Sequence, residues 1–440
     1  MDTLPLPPRP SIEQYRKRAK GLVTAANSDH PSAVREWAAA WLDALVKLLN
    51  VPPSPFVQGS IDRAIGHIDE RIRAMRATNA PNAVSLADAQ HLIADAHGYE
   101  NWAAFTRHVE VASGKREWGD DFELAADAVV NGDLATLKSL INRNPDLVHA
   151  RSSRVHRATL FHYIAANGVE DFRQKTPANA VEIARFLLDS GAAVDALAET
   201  YGGDWWQTTK NLLVSSAHPA GAGLMSALVE VLADYGAALD GVANDASPLF
   251  TALDFGYVDA AETLVRRGAG VDNVIAAAAM GHLDRVRQMV VDKNTLTPGV
   301  PLLAPGWSKL PHEAAAHIER AFVWSCKFAR TDVAEFFLNL GVNPAAADGY
   351  KMTALHWAAG NGSMEIVHTL IERGAPLEVK NVWEGTVLDS TGHFAIHTPV
   401  KGVDYEAVME TLIAAGADPR AAYPSGDERV DAVLRRHFKK

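Results

Sequence analysis

Little in this sequence points to disulfides, membranes or nucleic acid. Of 440 residues only one, Cys326, is cysteine, which excludes an internal disulfide and any cysteine-rich metal site. Apolar residues make up 48% of the chain, yet their longest runs fall far short of a bilayer span. The first residues, MDTLPLPPRP, lack a charged region followed by an apolar stretch, so no signal peptide is expected. Net charge is −11 and evenly spread, whereas a nucleic-acid protein or a polybasic anchor needs a basic face. There is no Walker glycine loop, no G-x-S-x-G elbow and no dinucleotide fingerprint, so no cofactor is expected. These absences lead to the expectation of a soluble protein in a reducing, cytoplasmic setting, without nucleic-acid or membrane partners.

What is present is a repeat. Residues 353–381 read TALHWAAGNGSMEIVHTLIERGAPLEVKN. Thr353 caps a first helix, Ala358 and Ala359 allow a neighbour to pack closely, and Gly362 breaks the turn. Ile366, Val367, Leu370 and Ile371 form an apolar face at helical spacing, and Gly374-Ala375-Pro376 stops a second helix. This stretch resembles an ankyrin repeat, whose T-P-L-H-x-A-A signature recurs at about 33 residues. Further copies are read at 122–146, 159–196, 208–241, 247–273, 275–290, in AFVWSCKFARTDVAEFFLNLGVNP, and at 386–419. The expected fold is all-α: an ankyrin-repeat solenoid of about eight repeats, some degenerate, over residues 117–440, closed by a C-terminal capping helix. Residues 1–10 are expected to be a disordered, proline-rich tail. Residues 11–116 read as a helical cap domain, which resembles the helical leader of bacterial ankyrin-repeat proteins and covers the exposed first repeat.

The departures from the repeat carry the functional argument, because insertions decorate the binding side of such arrays. Residues 170–178, 198–207, 217–223, 293–312 and 382–404 exceed the repeat length. The resemblance implies binding through a concave groove built from finger loops and from the two residues after each small pair. Aligning the copies places Ser215, Asp254, Phe255, Lys327, Phe328, His393 and Phe394 on that groove. Tyr201, Trp205, Trp206, Trp307, Tyr350 and Trp383 fall on finger tips, and His397 lies one helical turn beyond His393. An aromatic-rich row with few charges suits a protein partner or a compact apolar or aromatic ligand.

Several residues have structural readings. His162 and His356 occupy the signature position and are expected to bond the adjacent finger loop. Cys326 replaces a small alanine and is expected to be buried and inert. Asp389 stands where the signature histidine belongs. It either bonds the finger-loop amides or pairs with His393 for acid–base work. His393 and His397 would share a helix face, but no third ligand and no H-E-x-x-H motif accompany them, so no metal is expected. Gly392 and Pro399 also argue against a continuous helix there. The favoured function is recognition by a binding protein without chemistry of its own. The alternative is a hydrolase or isomerase, without a nucleotide cofactor, in which inserted loops close an aromatic pocket over Asp254, Asp389 and His393.

Overall fold

The computed structural model describes residues 4, 6–7, 10–49, 55–78, 83–99, 101–112, 121–200, 205–303 and 310–438. The chain divides into two compact units, Met1–Ala238 and Leu239–Lys440. Its architecture is all-α, with two short β-hairpins among the described residues. No helix among them is long and apolar enough to cross a membrane.

The first unit opens with helices Ile12–Ala26, Ala33–Leu49, Pro55–Thr78, Leu86–Ala96 and Trp102–Ala112. Their apolar faces meet in one core that includes Tyr15, Leu22, Trp41, Ile68, Leu92 and Phe105. Of residues 1–10, expected as a disordered tail, Leu4 donates its N–H to the Ala96 carbonyl at 2.8 Å and packs with Leu6 on this core. Helix pairs follow. The first is Asp121–Asn131 with Leu134–Arg143, and the second couples the 3-10 turn Leu160–Ala165 to Ala180–Asp189. The third joins Thr209–Leu213 to Met225–Asp234, with the short helix Ala217–Gly221 between them. At the insertion, the described strands Leu197–Thr200 and Trp205–Thr208 pair antiparallel, with Ala198 opposite Gln207.

A buried ionic network joins the N-terminal helices to the helix pairs that follow within this unit. Arg154 reaches Glu170 at 2.5 Å and Glu123 at 3.1 Å, and donates to the His97 carbonyl at 2.7 Å. Its guanidinium also lies 4.6 Å from the centre of the Tyr99 ring. Arg173 bonds Glu123 at 2.5 Å and Asp127 at 2.8 Å. Burial alone would lift the Glu170 carboxyl, but Arg154, then His156 and Arg173, hold it well below the usual carboxylate range.

The second unit continues with Ser247–Asp254 and Val258–Arg266, Val274–Ala279 and Leu283–Met289, and Ala314–Lys327 and Thr331–Asn339. Ala354–Gly360 with Met364–Glu372, Val387–His397 with Tyr405–Ala414, and the closing helix Glu428–Arg435 complete it. The inner helices are short, so their C-terminal carbonyls need partners from outside the helix. Neighbouring repeats supply them. Arg330 donates to Ala279 O at 2.9 Å, Asn361 to Cys326 O and Lys327 O at 3.0 and 2.9 Å, and the Tyr405 hydroxyl to Gly360 O at 2.9 Å. Stacking therefore joins repeats by polar contacts as well as by the alanine-rich core.

Candidate functional site

In the second unit the finger tips follow from the repeat itself. Thr353 caps Ala354–Gly360, and the His356 Nδ1 accepts from the Thr353 N–H at 3.2 Å, so the two side chains bond reciprocally. His356 Nε2 faces the Gly385 carbonyl of the next finger at 3.4 Å, in the place expected for a structural histidine. Five residues before Thr353, the buried Asp348 accepts from Tyr350 N–H, Met352 N–H and Trp357 Nε1–H at 2.8, 3.0 and 2.8 Å. One repeat on, Asn381 does the same for Trp383 N–H and Gly385 N–H at 2.9 and 3.1 Å. Tyr350 and Trp383 therefore occupy equivalent positions on successive fingers, and Val382 N–H donates to Tyr350 O at 3.0 Å. Their rings stack with centres 5.7 Å apart and planes 14° apart, yet stay 43% and 68% exposed.

Asp254, at the end of Ser247–Asp254, shares an electrostatic neighbourhood with this pair. Its negative charge is the foremost reason that the Tyr350 phenol is raised above its ordinary value. Burial lifts the Asp254 carboxyl, against the pull of Lys327 and Arg320. Burial likewise lowers Lys327 and Arg320, against the pull of the carboxylates. Desolvation thus outweighs attraction for all three charges. Lys327 donates to Leu253 O at 3.2 Å and Asp254 O at 2.8 Å, and sits 4.9–5.3 Å from the ring centres of Trp357, Trp324 and Phe328. Its ammonium caps the carbonyl end of another repeat's inner helix. The Asp254 carboxylate accepts no hydrogen bond among the described residues. Phe255 is 55% exposed and stacks on Tyr257 at 6.1 Å.

The eighth repeat holds the other candidates. Helix Val387–His397 runs unbroken through Gly392, correcting the expectation of a break. A side chain at Gly392 would come within 3.2 Å of Val430, so glycine lets the closing helix approach. The helix ends at Thr398, whose position before Pro399 disfavours helical geometry. Thr386 caps the helix through the Asp389 N–H at 3.3 Å, but Asp389 does not return the bond that His356 makes to its own cap. Burial raises the Asp389 carboxyl and His393 lowers it. His393 and His397 are exposed, with ring centres 4.5 Å apart, while Phe394 packs edge-on against Trp357 at 6.0 Å.

The expected catalytic set therefore falls into two groups. Asp254 lies among Lys327, Arg320 and Asp348, and Asp389 lies beside His393. Of the ligand-binding residues, Lys327, Phe328, Tyr350, Trp383 and Phe394 share contacts within the second unit, and Phe328 is buried rather than lining a surface. Ser215 belongs to the first unit, where its hydroxyl accepts from Asn167 at 2.8 Å and donates to Leu212 O at 3.0 Å. Trp205 and Trp206 lie on the hairpin strand of that unit, and Tyr201 and Trp307 lie outside the described residues. Among the described residues no three His, Cys, Asp or Glu side chains gather as metal ligands. Burial pushes the Cys326 thiol up to about 12, which leaves it unreactive.

Sequence reasoning passed over Arg320 and the finger-organising role of Asp348. It also passed over the ionic network of the first unit. One signal for that network was legible: Glu123 sits on the apolar face of Asp121–Asn131, among Phe122, Ala126 and Val130. A charge on a buried face demands a partner.

A family model described as "Ankyrin repeats (many copies)" matches residues 319–371. The crystal structure of the human ASB11 ankyrin repeat domain is similar at 21% identity, covering 67% of this chain and 98% of that one, with a TM-score of 0.32. No curated protein matches. The match at 319–371 falls within the two helix pairs from Ala314–Lys327 to Met364–Glu372, so ankyrin repeats are shown over that stretch.

Proposed function

We propose that this chain is a binding protein that recognises a protein partner, or a compact ligand, through finger tips and inner helices of the unit Leu239–Lys440. The Tyr350–Trp383 stack carries this reading. Two large rings held rigidly on adjacent fingers, and left wet, have the character of binding hot spots, because covering them releases much apolar area at little entropic cost. The Asp254 carboxylate nearby, without a hydrogen bond among the described residues, offers an acceptor that would fix orientation. Binding is favoured over acid–base chemistry because the candidate acids and base do not form one constellation. The single, buried Cys326 supports a reducing, cytoplasmic setting.

The test compares proteins retained by immobilised wild type, by the double variant Tyr350→Ala/Trp383→Ala, and by Glu372→Ala on an outer helix. A partner held by wild type and by Glu372→Ala, but reduced roughly 10-fold or more by the double variant, is the expected result. Identical retention by all three would refute the assignment. A thermal-shift screen with small aromatic compounds, on wild type and the same double variant, separates a ligand groove from a protein surface.

A further inference from the structure

One cluster is left unused by this reading: Asp389, His393 and His397, spaced one helical turn apart on Val387–His397. Because the helix continues through Gly392, both imidazoles project from one face. They are exposed, their ring centres lie 4.5 Å apart with planes 43° apart, and neither ring has a hydrogen-bond partner among the described residues. A structural histidine in this chain looks different: His162 and His356 are buried and bonded to a capping threonine.

The spacing fits one ion. A transition-metal–imidazole bond of about 2.0–2.1 Å places each ring centre roughly 3.2 Å from the metal, so two ligands at right angles have centres roughly 4.5 Å apart. Histidines four apart on a helix recur as metal ligands for this reason.

We propose that His393 and His397 chelate one divalent transition-metal ion of the imidazole-preferring kind (Cu²⁺, Ni²⁺ or Zn²⁺). Two protein ligands leave the remaining coordination positions to water, so the ion would present exchangeable sites to an incoming donor atom. The proposal stands independently of the partner-binding reading.

The experiment uses the full, metal-free chain without a histidine tag, titrated calorimetrically with Ni²⁺ and with Zn²⁺. The chain holds 17 histidines, so the readout is the difference between variants. One ion per chain is expected at the tightest site, with affinity falling more than about 10-fold in both His393→Ala and His397→Ala. His437→Ala, on the closing segment, is expected to leave it unchanged. The nitrogen couplings in the Cu²⁺ spectrum should report two imidazoles in wild type and one in each histidine variant. Unchanged affinity in either histidine variant overturns the site.

Discussion

Replacing Arg154 by Met tests how the N-terminal helices are held. Methionine keeps much of the side-chain volume and removes only the guanidinium. Arg154 and Glu123 are 2% exposed and Glu170 is fully buried, so solvent cannot compensate the loss. Two carboxylates would be left to Arg173, at 2.5 and 3.4 Å, and to His156 at 3.3 Å. Breaking a buried pair from one side costs about 3–5 kcal/mol. In a unit of this size each kcal/mol moves the midpoint by roughly 2–4 °C, so a fall of roughly 6–20 °C is expected. The pH dependence supplies the sign. Glu170 is depressed in the folded state, so its contribution is complete above the unfolded carboxylate value of about 4.3 and is lost as pH falls below it. Without Arg154 that depression loses its main cause, and the gap between wild type and variant narrows in acid. Thermal and urea unfolding at pH 7 and about pH 3 measure both quantities, and amide exchange over Leu86–Ala96 shows whether the N-terminal helices loosen. Adding Glu170→Gln to Arg154→Met should restore part of the loss. A cost below about 1 kcal/mol at pH 7, or a gap independent of pH, would refute a network that matters to folding.

Three further outcomes are expected. Burial pushes the His162 imidazole down to about 4, so its contribution is complete above about pH 6.5 and is lost as pH falls towards 4. That is worth about 3 kcal/mol, and a urea series between pH 4 and 7 should be flatter for His162→Gln. Gly360→Ala gains up to about 1 kcal/mol of helix propensity. The added Cβ would meet Phe394 at 2.5 Å, however, and overpacking costs about 1–3 kcal/mol, so unfolding should show net destabilisation that Phe394→Leu partly relieves. Asp254 is raised by burial, so its penalty grows as pH rises above the unfolded carboxylate value. Asp254→Asn should match or exceed wild-type stability at pH 7, with the difference closing below about pH 4.

The repeat was legible because its determinants are local. Thr353, the alanine pair, Gly362 and Gly374 act within a turn or two, so their spacing alone places the helices of Ala354–Gly360 and Met364–Glu372. The same period put Tyr350 and Trp383 one repeat apart, and the structure stacks them. The helix through Gly392 was misread because glycine was taken as a break, whereas Val430 uses the missing side chain for close packing. The insertion at 198–207 carried no helical period, and only pairing across it made a hairpin. Lys327 read as a groove residue, since nothing local shows that its ammonium would reach Asp254 O. Cap, repeat and finger positions were thus determined by short-range sequence. Which charges meet was decided only in three dimensions: Glu123, Arg154 and Glu170 come from three separate segments, and their pairing depends on the chain returning to one buried place.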